Sequence, residues 1–392
     1  MRYLLLFCLI LFVFQGSGQQ ISLSGTTVLY DQHFIRTEGY NELDFSKANV
    51  KFTSQGLQLY KSEGPVRLNR YYALAQRVIR YHVKLGADAK AIFQSDKGDF
   101  IAIVDMPNKT ISIQTDPVLA RKVMDMNPEH EYLVEIHRDY QCSSLKLINL
   151  YSGEETEVRG INDGTGGVGR GTEGTGFQVG RQYDYYCFGI LEGSGMLVKQ
   201  IVVQAKQANP ILLIYGDSIT EPEGYYPEKS FSQSWTQLII NHLNGKAVSS
   251  GRGGTTINEL LERIKNELPY LKAKYVMITI GTNGGNTPEN LSQLVEYIQS
   301  QGAVPILNNI PANESGTHIP VNEMIEHIRE KYKIKGCQFD IVTSKDQLGK
   351  EVDHSTMYFE DYDWGKIYHH PNVKGSKLMY LRTLIDVPEI YQ

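Results

Sequence analysis

The 392-residue sequence is poor in cysteine, with only Cys8, Cys142, Cys187 and Cys337, at spacings that match no zinc pattern. A disulfide-dense scaffold is therefore excluded, and no metal or organic cofactor is expected. There is no basic excess either. Lys and Arg number 39 against 44 Asp and Glu, mixed along the chain for a net charge of −5, which argues against binding nucleic acid through phosphates. Long apolar runs are missing: the longest, Leu4 to Phe14, falls short of the roughly 20 residues a spanning helix needs. With 41% hydrophobic and 21% charged residues, disorder, collagen and coiled coil do not describe this chain. What it does have is Tyr, 25 of them, as expected of β-rich structure or of a surface that meets sugars.

Residues 1–18 read as a secretory signal peptide: Arg2, the apolar stretch from Leu4, then Gly16, Ser17 and Gly18 before the cut. The mature protein is expected to be exported, periplasmic or extracellular, with no membrane span. Its three remaining cysteines leave open either a Cys142–Cys187 disulfide or three unpaired buried thiols.

The chain divides near residue 208. Residues 19–208 show short alternating runs, among them Val78 to Leu85, Phe100 to Val104, Thr110 to Gln114, Tyr132 to Ile136, Leu145 to Ile148 and Val198 to Val203. Separated by turn clusters, they predict an antiparallel β-sandwich without helices. Residues 209–392 alternate differently. Apolar strands are expected at Ile211 to Tyr215, Tyr275 to Ile280, Val304 to Ile310 and Gln338 to Val342. Helices are expected at Ser232 to Leu243, Ile257 to Leu271, Pro288 to Gln301, Val321 to Tyr332 and Val373 to Leu384. That order predicts a three-layer α/β/α domain around a parallel sheet.

Gly164 to Gly169 satisfies G-x-G-x-x-G, but its surroundings are β and no helix can start after it, so nucleotide binding is rejected. The chemistry lies elsewhere. Ser218 follows the first parallel strand in Gly216-Asp217-Ser218, where open α/β sheets present functional groups. Further polar clusters follow at Ser250 to Thr256, at Gly281 to Asn286 and at His369-His370-Pro371-Asn372. A hydroxyl, an imidazole, a backbone amide and an Asn side chain are the parts of an acyl-transfer site.

With these blocks in this order, residues 209–392 resemble the SGNH (GDSL) hydrolase superfamily. The resemblance implies that Ser218 is the nucleophile and His370 the catalytic His. It also implies an oxyanion hole built from the N–H groups of Ser218 and Gly251 and the side-chain amide of Asn283. The chain departs from the pattern at Ser249, where the family usually has Asn, at Gly284, and at Ile367, where its D-x-x-H motif has Asp. Asp363 is then the candidate third member, with Asp361 and Asp353 as other carboxylates and a Ser–His dyad as the alternative. His369 reads as a neighbouring surface histidine and Arg252 as a solvated loop arginine.

A sandwich ahead of such a domain resembles the layout of bacterial carbohydrate esterases. The expected activity is hydrolysis of short acyl esters, acetyl above all, on a polysaccharide or oligosaccharide. Tyr183, Tyr185 and Tyr186 are aromatics that can stack on sugar rings, or core residues. A lipase or thioesterase on the same scaffold, and a glycan-binding protein without turnover, are the competing expectations.

Overall fold

The computed structural model describes residues 25–35, 40–96, 100–114, 118–138, 142–161, 185–221, 232–357 and 370–392. The signal-peptide segment, the Gly164 to Gly169 run, Tyr183, Asp361, Asp363, Ile367 and His369 lie outside these residues.

Two antiparallel sheets make up the first half. One contains β1 (Thr27–His33), β3 (Asn49–Thr53), β4 (Gly56–Tyr60), β6 (Arg77–Leu85), β11 (Glu131–Arg138), β12 (Cys142–Asn149), β13 (Glu155–Ile161) and β15 (Met196–Ala205). The other contains β2 (Leu43–Asp44), β5 (Val66–Leu68), β7 (Lys90–Ser95), β8 (Ile101–Asp105), β9 (Thr110–Gln114), β10 (Val118–Val123) and β14 (Tyr186–Glu192). Alternation along each strand sends one set of side chains inward. Tyr81 on β6 meets Phe93 and Phe188 of the facing sheet at ring-centroid distances of 4.8 and 5.3 Å, so the sheets form a sandwich closed by aromatic packing. No helix occurs between residues 25 and 205 among the described residues. Cys187 is a buried free thiol whose pKa burial pushes up to about 12, so the Cys142–Cys187 disulfide is not formed.

The second half is built on a parallel sheet of order β17-β16-β18-β19, namely β16 (Leu212–Gly216), β17 (Ala247–Gly251), β18 (Tyr275–Thr279) and β19 (Val304–Leu307). Around it lie α1 (Trp235–His242), α2 (Ile257–Leu271), α3 (Pro288–Ser300), α4 (His318–Tyr332), the short α5 (Phe339–Val342) and α6 (Val373–Asp386). Side chains of the sheet divide by parity. Leu213, Tyr215, Val276 and Ile278 enter the core of α2, α3 and α4, while Leu212, Ile214, Tyr275 and Met277 face Trp235, Ile239 and Met379 of α1 and α6. The uninterrupted apolar strands are thus buried on both faces.

Two expectations need correction. Gln338 to Val342 is not a strand: Phe339–Val342 is a helical turn, with Phe339 edge-on to Trp235 at 5.1 Å and the Asp340 carboxylate accepting from Asn309 Nδ2 at 2.9 Å. These contacts override the strand pattern, and the chain pairs with β19 only just before the turn, through a parallel bridge between Ile306 and Lys335 and the Asn309 N–H bond to the Cys337 carbonyl at 2.9 Å. Conversely, Ala247–Gly251 is a strand, although only its first two residues are apolar. Its buried hydroxyls are satisfied, Ser249 Oγ donating to the Thr220 carbonyl at 3.1 Å and Ser250 Oγ to Glu267 at 2.8 Å.

The halves share one hydrophobic core, which runs from Leu29 and Val203 in the sandwich to Leu260 and Ile264 on α2. Polar contacts close the seam. Ala73 N–H donates to Glu267, Ala75 N–H to the Ser249 carbonyl, and Asn266 Nδ2 to the Tyr71 carbonyl, at 3.0, 2.8 and 3.1 Å.

Candidate active site

Parallel pairing brings three loops to one edge of the sheet. β16 lies between β17 and β18, with Gly216 opposite both Gly251 and Thr279 in register. Ser218 follows β16 by two residues, Gly251 ends β17, and Asn283 follows β18 by four. The three candidate residues therefore stand at the carboxyl ends of adjacent strands, the ligand-binding edge of an open α/β sheet.

The turn after β16 is tightly built. A Cβ at Gly216 would lie 2.1 Å from Thr220 Oγ1 and 2.4 Å from the Thr279 carbonyl oxygen, so only glycine fits. Asp217 Oδ1 accepts the Ile219 N–H at 3.0 Å, and the Asp217 carbonyl accepts the N–H groups of Thr220 and Glu221, both at 3.1 Å. Trp235 Nε1 on α1 donates to the Ile219 carbonyl at 2.8 Å, anchoring the turn from below. Ser218 is held here 6% exposed, at the border of the interior. Burial raises the Asp217 carboxyl to about 6.

Gly251 is as constrained as Gly216. A Cβ there would come within 2.4 Å of both Glu221 N and Thr220 C, so the β17 loop lies directly against the Ser218 turn. Arg252 N–H donates to the Gly216 carbonyl at 3.1 Å, and Gly253 N–H donates to the buried Glu221 carboxylate. Asn283 is exposed, and its Nδ2 donates to the Thr255 carbonyl at 3.1 Å, linking the third loop to the second. One amide hydrogen is engaged in that bond, and a second belongs to the same group.

His370 is 4% exposed and stands two residues before Asn372, the cap of α6, whose Oδ1 accepts Gly375 N–H at 3.0 Å. Asn372 also docks this corner on the preceding turn, through its N–H to the Thr356 carbonyl and its Nδ2 to the Ser355 carbonyl, both at 2.9 Å. Asp353 lies in that turn, and its Oδ1 accepts the Ser355 N–H at 2.9 Å.

Three charged residues at this edge were not singled out from the sequence. Glu221 joins the first two loops. Arg263 and Glu267, one helical turn apart on α2, are fully buried beneath them. Arg263 Nη2 donates to the Ser250 and Gly216 carbonyls at 2.8 and 3.2 Å, at the ends of β17 and β16. The available signal was Glu267 within the apolar stripe Leu260, Ile264, Leu271, where an unpaired carboxylate is not tolerated. Arg252 corrects an expectation: it is half-buried rather than solvated, with Nε donating to the Tyr71 hydroxyl at 3.1 Å. Among the described residues no group of three or more His, Cys, Asp or Glu side chains is arranged to hold a metal ion, and no helix is long and apolar enough to cross a membrane.

Residues 209–392 thus combine a parallel α/β/α scaffold with Ser, Gly and Asn at adjacent strand ends and a His before the last helix. Residues 214–378 match the family described as GDSL-like Lipase/Acylhydrolase, and this part of the chain is a GDSL-like acylhydrolase domain, an ester-bond hydrolase. No curated protein matches the sequence. Among solved structures, the chain is similar to a GDSL-like lipase from Bacteroides thetaiotaomicron at 18% identity, covering 45% of this chain and 90% of that one, with a TM-score of 0.35. It is similar to an esterase from Pseudoalteromonas sp. at 19% identity, covering 45% and 96%, with a TM-score of 0.35. A third is an acetylxylan esterase catalytic mutant from Geobacillus stearothermophilus, at 17% identity, covering 46% and 94%, with a TM-score of 0.35.

Proposed function

We propose that the protein is an exported serine esterase that removes short acyl groups, acetyl above all, from a carbohydrate. The observation carrying this reading is the placement of Ser218, Gly251 and Asn283 at the carboxyl ends of the neighbouring strands β16, β17 and β18 respectively, with buried His370 ahead of α6.

In this mechanism the Ser218 hydroxyl attacks the ester carbonyl while His370 takes its proton. The negative charge developing on the carbonyl oxygen is met by the N–H groups of Ser218 and Gly251 and by Asn283 Nδ2. Support comes from the close backbone contacts around Gly216 and Gly251, which restrain the first two donors, and from the Asn283 bond to the Thr255 carbonyl, since restrained donors need little reorganisation as charge appears. Collapse of the tetrahedral intermediate breaks the bond to the sugar oxygen, which leaves with the proton from His370. Water then attacks the acyl-enzyme, giving its proton to His370, and the acid departs as His370 returns that proton to Ser218 Oγ. Asp363 is the carboxylate proposed to orient the imidazole, and no cofactor enters any step.

The carbohydrate part of the reading rests on the sandwich, which is joined to the hydrolase half through one core rather than by a linker. Hydrolysis of p-nitrophenyl acetate, butyrate and octanoate by the full chain and by Ser218→Ala tests the proposal. Acetate turnover that vanishes in the variant is expected. A preference for octanoate points instead to a lipase or thioesterase, and turnover that survives Ser218→Ala overturns the nucleophile.

A further inference from the structure

A cavity of about 250 Å³ opens where the sandwich meets the β17 loop. Tyr71, Tyr185 and Asp96 line it from the sandwich, and Arg252, Glu259, Glu262 and residues 253–255 from the hydrolase half. That loop has two sides. It begins at Gly251, carries the Gly253 N–H bond to Glu221, and receives Asn283 Nδ2 on the Thr255 carbonyl. The cavity and the candidate oxyanion donors therefore share the β17 loop.

The two tyrosines are held in place by more than packing. Their rings stand 5.6 Å apart at 56°. Arg252 Nε fixes the Tyr71 hydroxyl at 3.1 Å and Asn266 Nδ2 its carbonyl at 3.1 Å, while the Arg67 guanidinium lies 4.9 Å from the Tyr185 ring centre. On the other side of the seam, Glu262 is exposed on α2 beside the loop.

We infer that this cavity is a sugar subsite, assembled from both halves of the chain, for the alcohol part of the ester. The inference rests on the esterase reading above and goes beyond it by giving the sandwich a role in substrate selection. Aromatic faces suit the C–H face of a pyranose, and carboxylates accept hydrogen bonds from its hydroxyls. With the carboxylates of Asp96, Glu259 and Glu262 in the wall against the cation Arg252, an anionic sugar is disfavoured and a neutral one is selected. At about 250 Å³, the cavity lies below the roughly 300–1,000 Å³ of pockets for drug-sized ligands, which fits one saccharide unit better than a long acyl chain.

The test compares kcat/KM for a panel of mono-O-acetylated neutral pyranosides with that for ethyl acetate, using the full chain, Tyr185→Ala and Glu262→Ala. Wild type should favour at least one acetylated sugar over ethyl acetate. Each variant should lower that preference about tenfold, through KM rather than kcat. Glu262 is exposed, so its variant does not depend on refolding of a core. The subsite is overturned if no acetylated sugar exceeds ethyl acetate, or if both variants keep the wild-type preference. Failure of the esterase reading itself looks different, because ethyl acetate and p-nitrophenyl acetate would then show no Ser218-dependent turnover.

Discussion

Glu267 accepts the Ala73 backbone N–H at 3.0 Å, a bond between α2 and the last irregular stretch of the sandwich before β6. Its other oxygen takes the Ser250 hydroxyl at 2.8 Å, one residue before Gly251. A single buried carboxylate thus joins the sandwich to the loop that carries a candidate oxyanion donor, and Arg263 beside it supplies the compensating charge.

Replacing Glu267 by Ala leaves Arg263 charged, buried and without that partner. The expected loss is about 3–5 kcal/mol of folding stability. Glu267→Gln should lose less, because the amide still accepts from Ala73. Urea unfolding followed by circular dichroism measures both, and equal stability of wild type and Glu267→Ala would refute the role.

Asp217 predicts a pH dependence. Burial raises its carboxyl from 3.8 to about 6, so the folded state holds the proton more tightly than the unfolded chain. The resulting stabilisation is fully present below the unfolded value of 3.8 and is lost as pH rises through 6. Asp217→Asn still offers an oxygen to Ile219 N–H but does not titrate. Between about pH 4 and pH 8, wild type should lose on the order of 2–3 kcal/mol relative to the variant. Melting temperatures of the two proteins across that range provide the measurement, and parallel curves would contradict the assignment.

Asn283→Ala removes a side-chain donor at the exposed edge without opening a core cavity. It should reduce kcat on p-nitrophenyl acetate by roughly 10²–10³ with little change in KM. A loss confined to KM would place Asn283 in binding rather than in oxyanion stabilisation.

Gly251→Ala should be worse than its size suggests. The added methyl would meet Thr220 C and Glu221 N at 2.4 Å, both backbone atoms that cannot swing aside. The β17 loop must move away from the Ser218 turn, so activity should fall at least as far as in Asn283→Ala, with a lower melting temperature. Retained wild-type activity would show that the loop adapts freely.

The shared core predicts that residues 209–392 expressed alone expose the apolar surface α2 presents to β1 and do not unfold cooperatively. A sharp thermal transition for that fragment, matching the full chain, would show the halves to be independent.

Much of this was written locally. Periodicity marked the helices Ile257–Leu271 and Pro288–Ser300, and their starts carry capping boxes from Thr256 with Glu259 and Thr287 with Asn290. Position marked Gly216-Asp217-Ser218 at a strand end, where it could equally be a cap or turn, and the further polar clusters at 250–256, 281–286 and 369–372 gave it a functional reading. The local pattern failed where the deciding partner is distant in sequence. Ala247–Gly251 looks too polar for a buried strand until Glu267 and the Thr220 carbonyl take its hydroxyl groups. Phe339–Val342 looks like a strand until Trp235 and Asn309 turn it into a helix.

From sequence alone came the two-part architecture, the order of the strand-end clusters, and Ser218, Gly251, Asn283 and His370 as candidates, because each depends on residues adjacent in the chain. Only the folded structure decided that Arg252 fixes Tyr71, that Arg263 and Glu267 support the loops from beneath, and that the sandwich forms one wall of a cavity beside the site. Those relations join positions some 180 to 200 residues apart, such as Tyr71 with Arg252 and Ala73 with Glu267. No local propensity encodes them, since they exist only once the two halves bury a common core.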